Sequence, residues 1–228
     1  MNEIENFIIK PLLKDNKIHI PENINNVKFD IGLSHTAVNS ILWLNNPNLN
    51  DRFVFGFEPN SFLDPYRTVQ QHKDRFKLIN CGLSNVECAQ EQKMFINGED
   101  PGQSSFYKPN WFAPIAEVEF PVISFKTFLD FFPWDRFPFI EQVKTDTQGC
   151  DLDILKSMGD YITKVVYLEV ESQTYDGEYE DTSSKKETQS YLEKMGFILT
   201  EETNEIDQTY VNSRYISVSK QLDNSRVQ

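Results

Sequence analysis

Five short apolar segments, each ending in polar residues, constrain the fold of this chain more than any other feature of its sequence. They span residues 27–33, 52–59, 76–84, 139–146 and 164–172, and helical patterns follow most of them, at 36–46, 62–75, 150–158 and 184–195. Strands that are apolar on both faces and alternate with helices are typical of a parallel sheet covered on both sides. Two last segments, 197–206 and 209–218, favour a closing antiparallel hairpin. The sequence therefore predicts a doubly wound, mixed α/β sheet of about seven strands that ends in this hairpin.

The pattern loosens between the third and fourth segments. Residues 94–111 are rich in Gly, Pro and Ser and predict a long loop, whereas 116–125 predicts an extended stretch and 126–132 a short helix. The chain has no internal repeat and no change in composition that would indicate another domain. We expect one domain over 1–228, with an N-terminal extension at 1–26 and a core at 27–218.

Composition excludes several classes of function. A formal net charge of −13 disfavours broad binding to nucleic acid or to an anionic membrane. The three cysteines and three histidines have no metal-ligand spacing, so we expect reduced thiols and no metal site. The N-terminus is too charged for a signal peptide, and no apolar run approaches the ~20 residues of a membrane span. The sequence predicts a soluble, cytoplasmic protein, and its oligomeric state stays open.

Polar residues gather where the predicted strands end, which is the edge at which doubly wound sheets bind ligands. The first strands deliver Asp30, Gly32, Ser34, His35, Glu58, Pro59, Asn60, Leu83 and Ser84. The later two deliver Lys144, Asp146, Gln148, Glu169 and Glu171. We therefore expect a ligand site at this edge.

Gly32 and Glu58 indicate what kind of ligand the site takes. Glycine allows a close backbone approach, and an acidic residue at the end of the next strand can accept both hydroxyls of a ribose. The GxGxxG pattern is missing, because the chain continues after Gly32 as Leu-Ser-His-Thr-Ala. An adenosine ligand without phosphates therefore fits better than a dinucleotide, although an NAD- or nucleotide-binding protein remains an alternative.

Five motifs in order carry a resemblance to a known family: FDIGLSHTAVNSILWL, VFGFEPN, INCGLSN, VKTDTQGCDLDILKSM and VVYLEVES. They resemble the FkbM-like family of S-adenosylmethionine-dependent methyltransferases, over about residues 27 to 215. The resemblance implies a Rossmann-like sheet, S-adenosylmethionine as cofactor, and a small-molecule or glycan acceptor.

The resemblance also implies roles for individual residues. Asp30 and Gly32 match the loop around the methionine part of the cofactor, Glu58 the ribose site, Leu83 and Ser84 the adenine contacts, and Asp146 the methionine amino group and transfer site. The expected cofactor-binding residues are Asp30, Gly32, Ser34, His35, Glu58, Pro59, Asn60, Leu83, Ser84 and Asp146.

The chain departs from the family pattern at four positions. Thr36 stands in place of a second glycine, Ser34 in place of an asparagine, Gln148 in place of a glutamate, and Asp151 in place of the next acidic residue. The change at Gln148 removes a charge from the site. These departures keep a non-catalytic binding protein as a further alternative.

A reaction follows from these assignments. We predict methylation of a hydroxyl oxygen, and the resemblance implies a sugar or glycan as the best guess for the acceptor. A neutral hydroxyl is a weak nucleophile, so a base that takes its proton would help. Asp146 is the first candidate for that base or for an orienting group, and His35 is the second. Lys144 is the expected ion partner of Asp146. The acceptor is expected to contact Gln103, Ser104, Ser105, Gln148 and Glu171.

Overall fold

The computed structural model describes residues 1–172, 177–203 and 207–227. The strands are β1 Leu13–Lys14, β2 Lys17–Ile18, β3 Asn26–Ile31, β4 Arg52–Phe57, β5 Phe76–Ile79, β6 Gly82–Leu83, β7 Gln90–Ile96, β8 Ala116–Ile123, β9 Ile140–Thr145, β10 Val165–Glu171, β11 Phe197–Thr203 and β12 Asp207–Asn212. The helices are α1 Glu3–Ile9, α2 Val38–Asn45, α3 Pro65–Val69, α4 Phe125–Leu129, α5 Asp151–Ser157, α6 Lys185–Lys194 and α7 Ile216–Val227. In the described part of the chain, no helix combines the length and apolar character needed to cross a membrane.

The main sheet has seven strands in the order β11-β12-β10-β9-β3-β4-β5. Strands β3, β4, β5, β9 and β10 run parallel, whereas β12 pairs antiparallel with both β10 and β11. This arrangement confirms the predicted α/β class, the mixed sheet and its C-terminal hairpin, whose connecting residues 204–206 lie outside the described part. The chain order reverses between β3 and β9, so the switch point of the sheet lies at their carboxyl ends.

Aromatic side chains fill one side of the main sheet. The ring of Phe29 packs 5.3 Å from Phe55 and 5.1 Å from Phe125, and Phe128 packs 5.2 Å from Phe57. All these rings are buried, and burying each one is worth about 1.5–3 kcal/mol. The core therefore holds the ends of β3 and β4 in fixed positions beside α4.

The other side of the sheet is polar in its centre. Lys28 is 1% exposed, donates to Gln142 Oε1 at 2.6 Å and forms an ion pair with Glu141 at 3.1 Å. Apolar packing resumes on either side of this strip: α2 and α3 cover Val54 and Phe76, and α7 packs Leu222 against Val166. The sequence analysis did not predict α7, which has almost no amphipathic pattern.

A small sheet of three strands, in the order β6-β8-β7, stands beside the main sheet and corrects two predictions. The predicted strand 76–84 is two strands, because β5 stays in the main sheet while β6 turns away and pairs with Val122 and Ile123. The predicted loop 94–111 begins as the end of β7, which pairs along the whole of β8. The polar alternation of both strands follows from this, since one face of the small sheet is exposed.

The N-terminal extension is part of the core. Ile9, Ile18 and Ile24 are buried in the same apolar cluster as the aromatic side of the sheet. The Arg136 guanidinium donates to the carbonyls of Ile20, Pro21 and Ile24 at 2.6–2.7 Å. Residues 1–26 therefore close the amino-terminal end of the sheet.

Candidate active site

A cleft opens at the carboxyl ends of β3, β4 and β9, between the main sheet and the small one. Its lining residues are Ile31, Gly32, Ser34, Phe57, Glu58, Pro59, Cys81, Gly82, Leu83, Met94, Pro101, Gly102, Ser104, Phe106, Asp146, Thr147, Gln148, Cys150 and Ile154. Most predicted positions from the ends of β3, β4 and β9 lie in this lining. The cleft therefore occupies the switch point of the sheet.

Gly32 forms the turn at the tip of β3. Its φ is +82°, and a Cβ atom there would lie 1.8 Å from the carbonyl oxygen of Asp146. The backbone N–H of Gly32 donates to Phe57, and that of Asp146 donates to Ile31, both at 3.0 Å. Only glycine lets the tips of three neighbouring strands approach so closely.

Glu58 is a buried carboxylate held by backbone donors. Its two oxygens accept from the N–H groups of Ser34 and Asn60, each at 2.9 Å, and the residue is 6% exposed. Burial raises the pKa of Glu58 to about 7, although these two hydrogen bonds act in the opposite direction. A carboxylate in this position is suited to accept ribose hydroxyls at the wall of the cleft.

Part of the cleft lining is apolar and suits a flat ring. Leu83, Met94, Phe106 and Ile154 belong to this part. The sequence analysis did not identify Met94 and Phe106. Met94 belongs to the small sheet and Phe106 to the segment after β7, and no local pattern reveals the position of either. The thiols of Cys81 and Cys150 also line the cleft, and burial raises the pKa of both above their ordinary value.

Asp146 and Glu171 form an acidic pair at the polar end of the cleft. Gln148 Nε2 donates to Asp146 Oδ1 at 3.1 Å and to Glu171 Oε2 at 3.0 Å. Lys144 Nζ donates to Asp146 Oδ2 at 3.0 Å, the predicted ion pair, and lies 3.9 Å from Asp30 Oδ1.

The pKa values of the two carboxyl groups are shifted in opposite directions. Burial and the negative charge of Asp146 raise the pKa of Glu171 well above its usual range. Burial would also raise the pKa of Asp146, but Lys144 and the hydrogen bonds outweigh it and lower that pKa. These opposite shifts favour an ionised Asp146 beside a protonated Glu171.

Four of the predicted cofactor residues lie beside the cleft lining. Asp30 Oδ2 accepts from the backbone N–H and the hydroxyl of Ser40 at 2.9 and 2.6 Å, which fixes the start of α2. Asn60 Oδ1 accepts from the N–H of Phe62, and Ser84 N–H donates to Ile123. The side chain of His35 is exposed next to Ser34, 3.2 Å from its hydroxyl. Their direct roles remain predictions.

The predicted acceptor residues are joined to one another. Ser105 Oγ donates to the carbonyl of Gln148 at 2.7 Å, and Ser104 Oγ accepts from Asn97 N–H at 3.1 Å. Tyr179, which the sequence analysis missed, donates from its hydroxyl to the Gln103 carbonyl at 3.0 Å and to Gln148 Oε1 at 3.2 Å. Hydrogen bonds of Ser105 and Tyr179 therefore connect the segment around 103–105 to Gln148, which bonds to both members of the acidic pair.

The cleft residues fit S-adenosylmethionine. Gly32 lines the cleft, Glu58 would hold the ribose, and Leu83 with Phe106 would enclose the adenine. The negative Asp146 suits a ligand with a positively charged sulfonium and ammonium group. Across the described residues, no group of three or more His, Cys, Asp and Glu side chains is arranged to hold a metal ion.

Comparison with known proteins identifies the family of the chain. The model of the methyltransferase FkbM domain matches residues 34–199. Among solved structures, a TehB-like SAM-dependent methyltransferase from Corynebacterium glutamicum is 9% identical, with 92% of this chain and 88% of that chain covered and a TM-score of 0.41. A SAM-dependent methyltransferase from Aquifex aeolicus is 10% identical, with 92% and 93% covered and a TM-score of 0.39. No curated protein sequence matches the chain.

The family match covers well over half of the chain and includes the ends of β4, β6, β9 and β10. It confirms the resemblance and the predicted cofactor, and it displaces the NAD-binding and non-catalytic alternatives. The chain belongs to the FkbM family and is a methyltransferase that uses S-adenosylmethionine.

Proposed function

We propose that this methyltransferase methylates a hydroxyl oxygen of a sugar or glycan. The observation that carries the proposal is the acidic pair of Asp146 and Glu171, joined by Gln148 at the polar end of the cleft. An ionised carboxylate beside a protonated one offers a base and a hydrogen-bond donor in the same place. A hydroxyl acceptor needs both, since its oxygen must lose a proton and stay oriented.

Asp146 is the base in this proposal. S-adenosylmethionine supplies a methyl group on a positively charged sulfur, which becomes a neutral sulfide when the C–S bond breaks. The acceptor oxygen forms the new bond to the methyl carbon with its lone pair, and Asp146 takes the proton that this oxygen loses. Lys144 and Gln148 hold the two carboxylate oxygens in place, so that the acceptor is positioned for attack.

A sugar or glycan fits the polar end better than an isolated alcohol. Gln148 and Ser104 line the cleft there, and Glu171 lies next to Gln148, so donors and acceptors of hydrogen bonds are mixed. Such a wall can satisfy several neighbouring hydroxyls at once. His35 is the weaker candidate for the base, because its side chain is exposed and outside the cleft lining.

The class of acceptor and the cellular compartment are proposed from the net charge and from the cysteines. The net charge of −13 favours a small-molecule or glycan acceptor over nucleic acid, and the buried free thiols of Cys81 and Cys150 favour the reducing cytoplasm. A filter-binding assay with RNA and DNA would contradict the first of these inferences if it detected tight binding at physiological salt.

The Asp146→Asn variant tests the proposed base. We expect it to bind S-adenosylhomocysteine within about tenfold of the wild type but to transfer methyl at a rate ~10²-fold lower, because it cannot take the proton. Calorimetry measures the first quantity, and transfer of labelled methyl to a panel of sugars and glycans measures the second.

The exposed Asp74 offers a matched control, since Asp74→Asn removes the same charge outside this cleft. Full activity in Asp146→Asn would contradict the role of Asp146. Label that appears only on nitrogen or sulfur acceptors would contradict O-methylation itself.

A further inference from the structure

Trp111 presents its ring to solvent close to the candidate site. The residue is 51% exposed, whereas Trp43 and Trp134, the other two tryptophans of the chain, are half-buried. Phe112 packs against it, with ring centroids 4.9 Å apart at an edge-to-face angle. Tryptophan is enriched at binding surfaces, because its ring is large and apolar while its N–H can form a hydrogen bond.

The backbone around Trp111 is held in place by a second segment. Asn110 N–H donates to Glu178, and Glu180 N–H donates to Lys108, each at 2.8 Å. These bonds form a short antiparallel pairing in which Pro109 faces Tyr179. The position of the ring is therefore set by hydrogen bonds on both sides of Tyr179.

Packed rings and hydrogen bonds connect Trp111 to the acidic pair. The ring of Phe112 packs edge to face against both Trp111 and Tyr179, with centroids 4.9 Å and 6.4 Å away. The Tyr179 hydroxyl donates to Gln148 Oε1 at 3.2 Å, and Gln148 Nε2 donates to Asp146 at 3.1 Å. The ring thus stands at the outer end of a chain that begins at the proposed base.

We propose that the exposed face of Trp111 is the platform on which a pyranose ring of the acceptor stacks, with one of its hydroxyls directed towards Asp146. A pyranose has an apolar face of C–H groups that covers an indole ring and a rim of hydroxyls that suits the mixed donors and acceptors around Gln148. An open-chain polyol has the same hydroxyls but lacks the flat face. This inference rests on the proposed function and adds the residue that selects for the ring.

Tryptophan fluorescence of the whole protein with bound S-adenosylhomocysteine tests binding. Trp111 is the most exposed of the three tryptophans, so a stacked sugar should shift or quench its emission. We expect a saturable change with at least one methyl hexopyranoside of a panel and no change with sorbitol at the same concentration. The change should disappear in Trp111→Phe if the signal comes from this ring.

The kinetics of methyl transfer test whether Trp111 selects for a pyranose ring. Trp111→Ala should raise the KM for the best pyranoside about tenfold or more and leave kcat within about twofold, because stacking acts on binding and not on proton removal. Trp111→Phe should recover part of the loss. Phe7→Ala removes a more exposed aromatic ring from α1, and it should change neither constant. A thermal melt checks that each variant is folded.

The possible results are distinct. An unchanged KM in Trp111→Ala, or an equal response to sorbitol, overturns the platform while leaving sugar methylation standing. No spectral change with any pyranoside also overturns it. Failure of every sugar to accept methyl from an enzyme that binds S-adenosylhomocysteine overturns the proposed function as well.

Discussion

Gly32 makes the closest backbone contact of the candidate site. Its left-handed conformation and the absence of a side chain let the tip of β3 lie directly against the carbonyl of Asp146. Two requirements coincide here, since a larger residue would be strained in this conformation and would also collide with β9. The proposed base and the cofactor turn are therefore fixed relative to each other by one residue.

We predict that Gly32→Ala destabilises the protein by roughly 3 kcal/mol or more, because strain and collision add. Gly177 separates the two effects, since its φ is +103° and a Cβ atom there would meet nothing within 4 Å. Gly177→Ala should cost only about 1 kcal/mol. Urea unfolding measures both, and equal costs would contradict the importance of the close approach.

The N-terminal extension depends on one side chain far along the chain. Three carbonyls of residues 20–24 receive N–H groups from Arg136, and these bonds draw the segment after β2 against the core. Neither the extension nor the loop after α4 has enough regular structure to be stable alone. Their mutual packing makes them part of the domain.

We predict that Arg136→Ala destabilises the protein by about 2–4 kcal/mol, since charge-assisted hydrogen bonds are lost and their acceptors stay buried. Hydrogen exchange should become faster in residues 3–24 than elsewhere. Arg214→Ala is the control, because Arg214 is exposed and its side chain is outside this contact. Unchanged exchange in 3–24 would show that apolar packing alone holds the extension.

Buried carboxyl groups give the whole molecule its expected response to pH. Burial raises the pKa of Glu58 to about 7 and also raises the pKa of Asp151 and Glu171. A carboxyl whose pKa is higher in the folded state stabilises the fold fully below its unfolded pKa and loses this contribution as pH rises through the folded value. Ionisation of these carboxyl groups in the unliganded protein therefore makes the cleft negative and lowers the stability of the fold.

We predict that Glu58→Gln gains stability relative to the wild type, by roughly 3 kcal/mol in total, as pH rises from 4.5 to 8. The affinity of the wild type for S-adenosylhomocysteine should move the other way, about tenfold weaker at pH 6 than at pH 8, because ionised Glu58 accepts the ribose hydroxyls. Urea unfolding and calorimetry over this range measure the two trends.

Glu22→Gln provides the control for both trends, since Glu22 is an exposed carboxylate on the N-terminal extension. It should keep the wild-type pH dependence of stability and of affinity. An affinity in Glu58→Gln that still varies with pH as in the wild type would mean that another group binds the ribose.

The elements that could be predicted are those whose pattern is local. The residues of β4 and β9 are buried along their whole length, and the nearly continuous apolar sequence of β4 alone identified it as a central strand. Ser184 and Glu187 form the capping box that starts α6, as their spacing indicated. The split of the third strand was not predictable, because the pairing of Leu83 with Ile123 joins residues forty positions apart.

The sequence by itself determined the class of sheet, the end at which the cleft opens, and the placing of Gly32, Glu58 and Asp146 at that end. Each of these follows from short-range order, because a strand must end in a turn and parallel strands end on the same side. Only the tertiary structure decided that Phe106 and Met94 form a wall of the cleft and that Tyr179 reaches Gln148. Phe106 and Tyr179 come from segments with little regular structure and Met94 comes from the small sheet, so only the packing of distant parts of the chain fixes where these side chains lie.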